Sequence, residues 1–242
     1  MRLFLTSSPC ADAEELPFVY REENGFAERL RERLPERPRG VMLAAYPEEH
    51  EHNDGMAEDF ALALEALGCP PEDFRMLDGR CRLSEIHGAV RRSDLVILSG
   101  GHVPTQNRWF HKIRLASALK DYPGVVMGIS AGTMNCCDPV YAQPEEPGEA
   151  ADPAYRRFLP GLGLTRIMVL PHYQQVRDNR VDGLHLFDDL TIPDSRGRTF
   201  YALPDGSYVL QEDGRALLCG EAWLIRDGVM TAFTQPGEER IL

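Results

Sequence analysis

The stretch that decides the fold is Val125–Thr133, VVMGISAGT, an apolar run that ends in Gly128-Ile129-Ser130-Ala131-Gly132. A buried strand that runs directly into G-x-S-x-G and then into a helix start is the context of a nucleophile elbow. Small residues on both sides of Ser130 let the chain turn sharply and hold the hydroxyl above the end of a sheet at strained backbone angles. The helix that follows places free N–H groups and partial positive charge where an oxyanion would develop.

Outward from this elbow the chain alternates. Arg2–Thr6 reads as a first strand, and a charged helix is expected from about Asn24 to Leu34. Gly40–Tyr46, Phe74–Leu77 and Asp94–Leu98 read as further strands. Helices are expected between them at Asp54–Leu67 and at Ser84–Arg92 with Ser84 as N-cap, and a third at Asn107–Leu119. Strands alternating with helices imply right-handed crossovers and a mostly parallel sheet covered on both faces, an α/β/α sandwich. After Ser130 the pattern changes. A loop rich in Pro and Glu (139–160) leads to a strand at Arg166–Leu170, to His172, and to a helix expected at Asn179–Leu190. Five short strands then follow: Thr199–Leu203, Ser207–Gln211, Ala216–Cys219, Ala222–Arg226 and Val229–Phe233. The turns Pro204-Asp205-Gly206, Glu212-Asp213-Gly214 and Asp227-Gly228 separate them as β-hairpins appended to the sheet. No repeat or linker interrupts residues 1–242, so a single domain is expected.

Composition narrows the function. The 242 residues are 43% hydrophobic and 26% charged, enough for a sizeable core without metal or disulfide support. A net charge of −12 gives no electrostatic footprint for nucleic acid or an anionic membrane. Six cysteines without a C-x-x-C pair read as reduced thiols, and the adjacent Cys136 and Cys137 pack as small hydrophobes. The N-terminal apolar run is too short for a signal peptide and no run reaches the length of a membrane span, so a cytoplasmic protein is expected.

A serine needs a base. Among seven histidines, His172 follows the apolar run Ile167–Leu170 and Pro171, which puts it at the same strand-end edge as Ser130. His50 and His52 fall in the acidic stretch EEHEHND, read as a solvated loop, and no second ligand cluster supports zinc. Gly100-Gly101 ends another strand, so the Gly101 N–H together with the Ala131 N–H could form an oxyanion hole. His102, next in line, could border the substrate pocket.

GISAG after a strand, an earlier strand ending in SGG and a later PHY together resemble the peptidase E (aspartyl dipeptidase) family, grouped with cyanophycinases on a class I glutamine amidotransferase-like fold. The resemblance implies a flavodoxin-like three-layer sandwich and a serine hydrolase acting on small peptides, with Ser130 as nucleophile and His172 as base. It implies dipeptides with an N-terminal aspartate as substrates and requires no cofactor or metal. It implies a carboxylate in the loop between the two, where Glu145 falls closest to the expected position and Glu146 beside it. Arg177, in the RDNR segment after His172, would fork onto the substrate carboxylate. One departure is plain: the family often carries a third glycine where this chain has His102. A homodimer is compatible with the resemblance. The competing readings are a cyanophycinase-like β-aspartyl peptidase, an α/β-hydrolase esterase, which would place its histidine after the last strand, and a non-enzymatic ligand-binding homologue.

Overall fold

The computed structural model describes residues 1–11 and 19–242. Its centre is an eight-stranded sheet in the order Glu239–Ile241, Arg215–Cys219, Tyr208–Glu212, Arg2–Thr6, Val125–Ile129, Leu95–Leu98, Arg39–Leu43, Asp73–Leu77. The last five are mutually parallel, and the first three run antiparallel to their neighbours. Alternation along the parallel strands builds two cores. Leu3, Leu5, Val41, Val96 and Val126 pack with Ile86, Val90, Trp109, Phe110 and Leu119 from the helices Leu83–Arg92, Val103–Lys112 and Leu115–Leu119. Phe4, Met42, Ile97 and Met127 face the other way, onto Phe26 and Leu30 of Phe26–Arg31 and Phe60 and Leu64 of His50–Ala66. Burial on both faces explains why these strands read as continuous apolar runs. The three-layer α/β/α arrangement with a mostly parallel sheet is the one expected.

A second, four-stranded sheet pairs Met168–Leu170 parallel to Thr199–Ala202 and continues antiparallel through Ala222–Arg226 to Val229–Thr234. The C-terminal hairpins therefore divide between two sheets. Tyr208–Glu212 and Arg215–Cys219 extend the central one; the other three strands belong to the second.

Four local expectations are corrected. The stretch with His50 and His52 is the first turn of His50–Ala66 rather than a loop, anchored where His50 Nδ1 lies 3.3 Å from the buried Asp78 carboxylate. The expected Asn107–Leu119 helix starts earlier, at Val103, with Pro104 in its first turn, and breaks at Arg114, whose φ is 51°. The helix Leu83–Arg92 is opened by Glu85, whose carboxylate accepts the Arg82 N–H at 2.7 Å, so Ser84 is not its cap. No helix spans Asn179–Leu190. There, Arg180–Val181 pairs with Leu184–His185 through Asp182-Gly183, both at positive φ (53° and 84°), before a wide helical turn at Leu186–Thr191. An Asp-Gly pair at two left-handed positions is a hairpin signal, and it outweighs the helical spacing around it.

Candidate active site

Ser130 sits between the strand Val125–Ile129 and the helix Ala131–Cys136, with φ 49° and ψ −112°. That strained backbone is held by its surroundings. A Cβ on Gly128 would lie 2.6 Å from the Thr133 backbone, and one on Gly132 would fall on the Leu98 carbonyl. Only glycine lets the helix lie this close to two strands. The first strand pins the turn from the side: the Ser130 N–H donates to the carbonyls of Thr6 and Ser7, both at 3.2 Å. Thr6 Oγ1 donates to the Gly128 carbonyl, and Thr133 Oγ1 to the Thr6 carbonyl, each at 2.7 Å.

His172 follows Met168–Leu170 and Pro171, itself in a left-handed conformation (φ 56°, ψ 30°). Its N–H donates to Ser7 Oγ at 2.7 Å, and Ser7 Oγ donates to Asp205 Oδ1 at 2.6 Å. His172 Nδ1 lies 2.8 Å from the same Asp205 oxygen. A carboxylate can only accept, so Nδ1 carries the proton and the Nε2 lone pair is left for other work. Gln174 and Gln175 donate to the other carboxylate oxygen at 2.6 and 3.1 Å. Burial pulls the Asp205 carboxyl upward, but the hydrogen bonds from His172 and Ser7 hold it below the usual carboxylate value. Ser7 is fully buried and touches both halves of this arrangement. Its carbonyl holds the Ser130 N–H, and its hydroxyl holds the His172 N–H and Asp205. Ser130 and His172 are thus mounted on opposite sides of one residue. Among the described residues no hydrogen bond joins Ser130 Oγ to the imidazole, a contact that in unliganded enzymes is often long and tightens with substrate.

The carboxylate that contacts His172 is Asp205, not one from the loop where Glu145 was expected. Glu145 makes no bond to His172; its N–H donates to Glu149 Oε2 at 2.8 Å, in a different part of the site. Although Glu145 is exposed, desolvation first, and then Glu149 and Glu146, push its carboxyl up to about 7.

The remaining expected residues divide. Gly101 has φ 147°, and a Cβ there would lie 2.6 Å from Ala45 Cβ and 2.9 Å from the Tyr46 ring, so the position requires glycine. A Cβ on Gly100 would stand 3.4 Å from Ser130 Cβ, which places the double glycine directly against Ser130. Neither the Gly101 nor the Ala131 N–H has an acceptor among the described residues. His102 lies beside them, but both ring nitrogens are engaged: Nδ1 with Thr105 Oγ1 and Nε2 with Glu149 Oε1, each at 2.8 Å. Arg177 is exposed and pairs with Asp178 at 3.1 Å. Cys136 and Cys137 are buried, and burial pushes both thiols up, Cys137 to about 12, far from a reactive thiolate.

A family model described as peptidase family S51 matches residues 22–219. The chain belongs to peptidase family S51. It is accordingly a serine-type peptidase of the peptidase E type, and the family points to a peptide substrate. Among solved structures it is similar to a Listeria monocytogenes EGD-e protein assigned as a peptidase E, crystallised at 1.5 Å. The two superpose with a TM-score of 0.61 at 17% identity, over 96% of this chain and 98% of that one, which shows a shared fold. No curated protein matches the chain by sequence. No helix among the described residues is long and apolar enough to cross a membrane.

Neither Asp205 nor Ser7 was singled out from sequence. Asp205 carries the ordinary signature of a Pro-Asp-Gly turn, and Ser7 is one of two serines closing the first strand. The only available signal was position: both follow strands that end at the same edge as Ser130.

Proposed function

We propose that this S51 peptidase hydrolyses short peptides through an acyl-enzyme on Ser130, with His172 as base and Asp205 as the acid that orients it. The observation that carries this reading is the Ser7 bridge, which mounts the elbow and the His172–Asp205 pair on one buried residue. Ser130 Oγ attacks the scissile carbonyl while His172 Nε2 takes its proton. Asp205 holds the Nδ1–H tautomer and stabilises the imidazolium. The carbonyl oxygen gathers charge as the tetrahedral centre forms, and the unpartnered N–H groups of Gly101 and Ala131 are suited to receive it. His172 then returns the proton to the leaving amine, and water repeats the sequence to release the acid.

The family resemblance favours dipeptides with an N-terminal aspartate, with Arg177 receiving the side-chain carboxylate after leaving Asp178. One observation favours a second substrate. Glu145 and Glu146 form no ion pair among the described residues and lie on the His102 side of the site, where a substrate guanidinium would complement them. Hydrolysis of Asp-Leu, Glu-Leu, Ala-Leu and β-Asp-Arg, each with Ser130→Ala as control, tests both readings. Serine-dependent cleavage of Asp-Leu supports the first and of β-Asp-Arg the second. No serine-dependent cleavage of any peptide sinks the mechanism.

A further inference from the structure

His102 stands where the family often has glycine, and a side chain there must be accommodated at the strand end that abuts Ser130. It is held from three directions. Its backbone N–H donates to the Tyr46 hydroxyl at 2.9 Å, Nδ1 meets Thr105 Oγ1 and Nε2 meets Glu149 Oε1. The partners order the protons. Glu149 accepts, so Nε2 carries the hydrogen, and in the neutral ring Nδ1 accepts the Thr105 O–H, while Arg108 donates to Thr105 Oγ1 at 3.0 Å. The second oxygen of Glu149 accepts the N–H groups of Glu145 and Glu146 at 2.8 and 3.0 Å. The imidazole is 13% exposed and has no ring nitrogen left for a ligand.

The residue it is bonded to is the informative one. Gly101 lies at φ 147°, wedged between Ala45 and the Tyr46 ring with no room for a Cβ. Glycine at such an angle has many alternatives and nothing of its own to select one. The His102 end of the double glycine is fixed by the Tyr46 bond to the His102 N–H, by the two ring bonds and by the His102 carbonyl, which accepts the Gln106 N–H at 3.1 Å; the other end is fixed at Ser99, whose carbonyl accepts Gln106 Nε2 at 2.7 Å. The unpartnered Gly101 N–H lies between these two anchors, on the Gly100–Gly101 peptide, so its direction depends on where the His102 clamp holds the Gly101 Cα.

The geometry points to His102 as a positioning residue: clamped by Tyr46, Thr105 and Glu149, it aims the Gly101 N–H at the oxyanion and does not itself bind substrate. This rests on the serine mechanism proposed above and deepens it. A donor misaimed by a fraction of an ångström still admits the substrate but stabilises the tetrahedral oxygen poorly, so its loss falls on the chemical step and not on binding.

The test is inactivation by an alkyl fluorophosphonate. Ser130 Oγ forms the P–O bond, the P–F bond breaks, fluoride leaves and the serine proton passes to His172. The phosphoryl oxygen takes the oxyanion position, and saturation kinetics separate KI from kinact. In His102→Ala, kinact should fall roughly 10- to 100-fold with KI within about twofold of wild type. His102→Gln, whose amide can still donate to Glu149, should recover much of that loss. Tyr46→Phe removes the acceptor of the His102 N–H without touching the ring, and should lower kinact in the same way if His102→Ala does not fold. A rise in KI at constant kinact would make His102 a ligand and overturn the assignment, as would wild-type kinact in folded His102→Ala or Tyr46→Phe. A wild-type enzyme that is folded but never labelled at Ser130 would instead remove the serine mechanism, and this inference with it.

Discussion

At the scale of the residue, the proposed mechanism turns on one carboxylate in the turn Pro204-Asp205-Gly206. Asp205→Asn keeps the shape of the side chain but can donate toward His172, which releases the tautomer that leaves Nε2 free. Its kcat should fall by a factor on the order of 10³ to 10⁴, whereas Glu145→Gln should stay within a few-fold, and peptide hydrolysis measured on both variants separates the two candidate acids. Ser7→Ala strands the His172 N–H and removes a donor from Asp205 in a fully buried position. It should cost about 1–3 kcal/mol in chemical denaturation and lower kcat as well. Sequence is legible at this scale where chemistry leaves a local pattern. Glycines flanking Ser130 and an apolar strand before His172 are such patterns. A carboxylate that reaches across 33 residues to a ring leaves none, because only the folded strand order brings Pro204-Asp205-Gly206 beside His172.

At the scale of the element, the elbow is a place where a helix and two strands touch backbone to backbone. Gly132→Ala would drive a methyl into the Leu98 carbonyl, and Gly128→Ala would set one against Thr133. Neither neighbour is a side-chain tip that can swing aside. Either substitution should destabilise by about 3 kcal/mol or more, or prevent folding, with a lowered Tm or insoluble expression as the readout. Gly148→Ala meets nothing within 4 Å but sits at φ 97°, so it should cost only its backbone strain, about 1 kcal/mol. Elements with strong periodicity were legible from the sequence: the parallel strands were located to within a few residues. The 179–190 segment was not, because apolar spacing mimics a helix while Asp182-Gly183 folds it into a hairpin. Asp182 then fastens that hairpin to the acidic loop, accepting the N–H groups of Gly148, Ala150 and Ala151 at 2.8–3.1 Å.

At the scale of the whole molecule, sequence reading gave the layered α/β architecture but not the division of the C-terminal strands between two sheets. Each of those strands has the same short apolar pattern, and partner choice is settled by tertiary packing. The pH response also belongs to this scale, since two carboxyls pull it in opposite senses. Asp205 titrates lower when folded than when unfolded, so its contribution is present above its ordinary value of 3.8 and is lost as pH falls below it. Glu145 titrates higher when folded, about 7 against 4.5, so its contribution is present below 4.5 and is lost as pH rises through about 7. At an exposed residue water moderates both the desolvation and the repulsion, which keeps this second effect small. Thermal melts should therefore show wild type losing ground to Glu145→Gln between pH 4.5 and 7, and a gap that widened in the other direction would contradict the assignment.

The Ser7 bridge has a consequence for how the protein is made. Residues 7, 130, 172 and 205 complete the arrangement, and Ser7 leaves the ribosome long before Asp205 has been translated. A nascent chain can form its elbow early, yet the imidazole has no carboxylate behind it until synthesis has passed the Thr199–Ala202 strand. On the proposed mechanism, the His172–Asp205 pair can therefore assemble only after residues 1–205 have been synthesised.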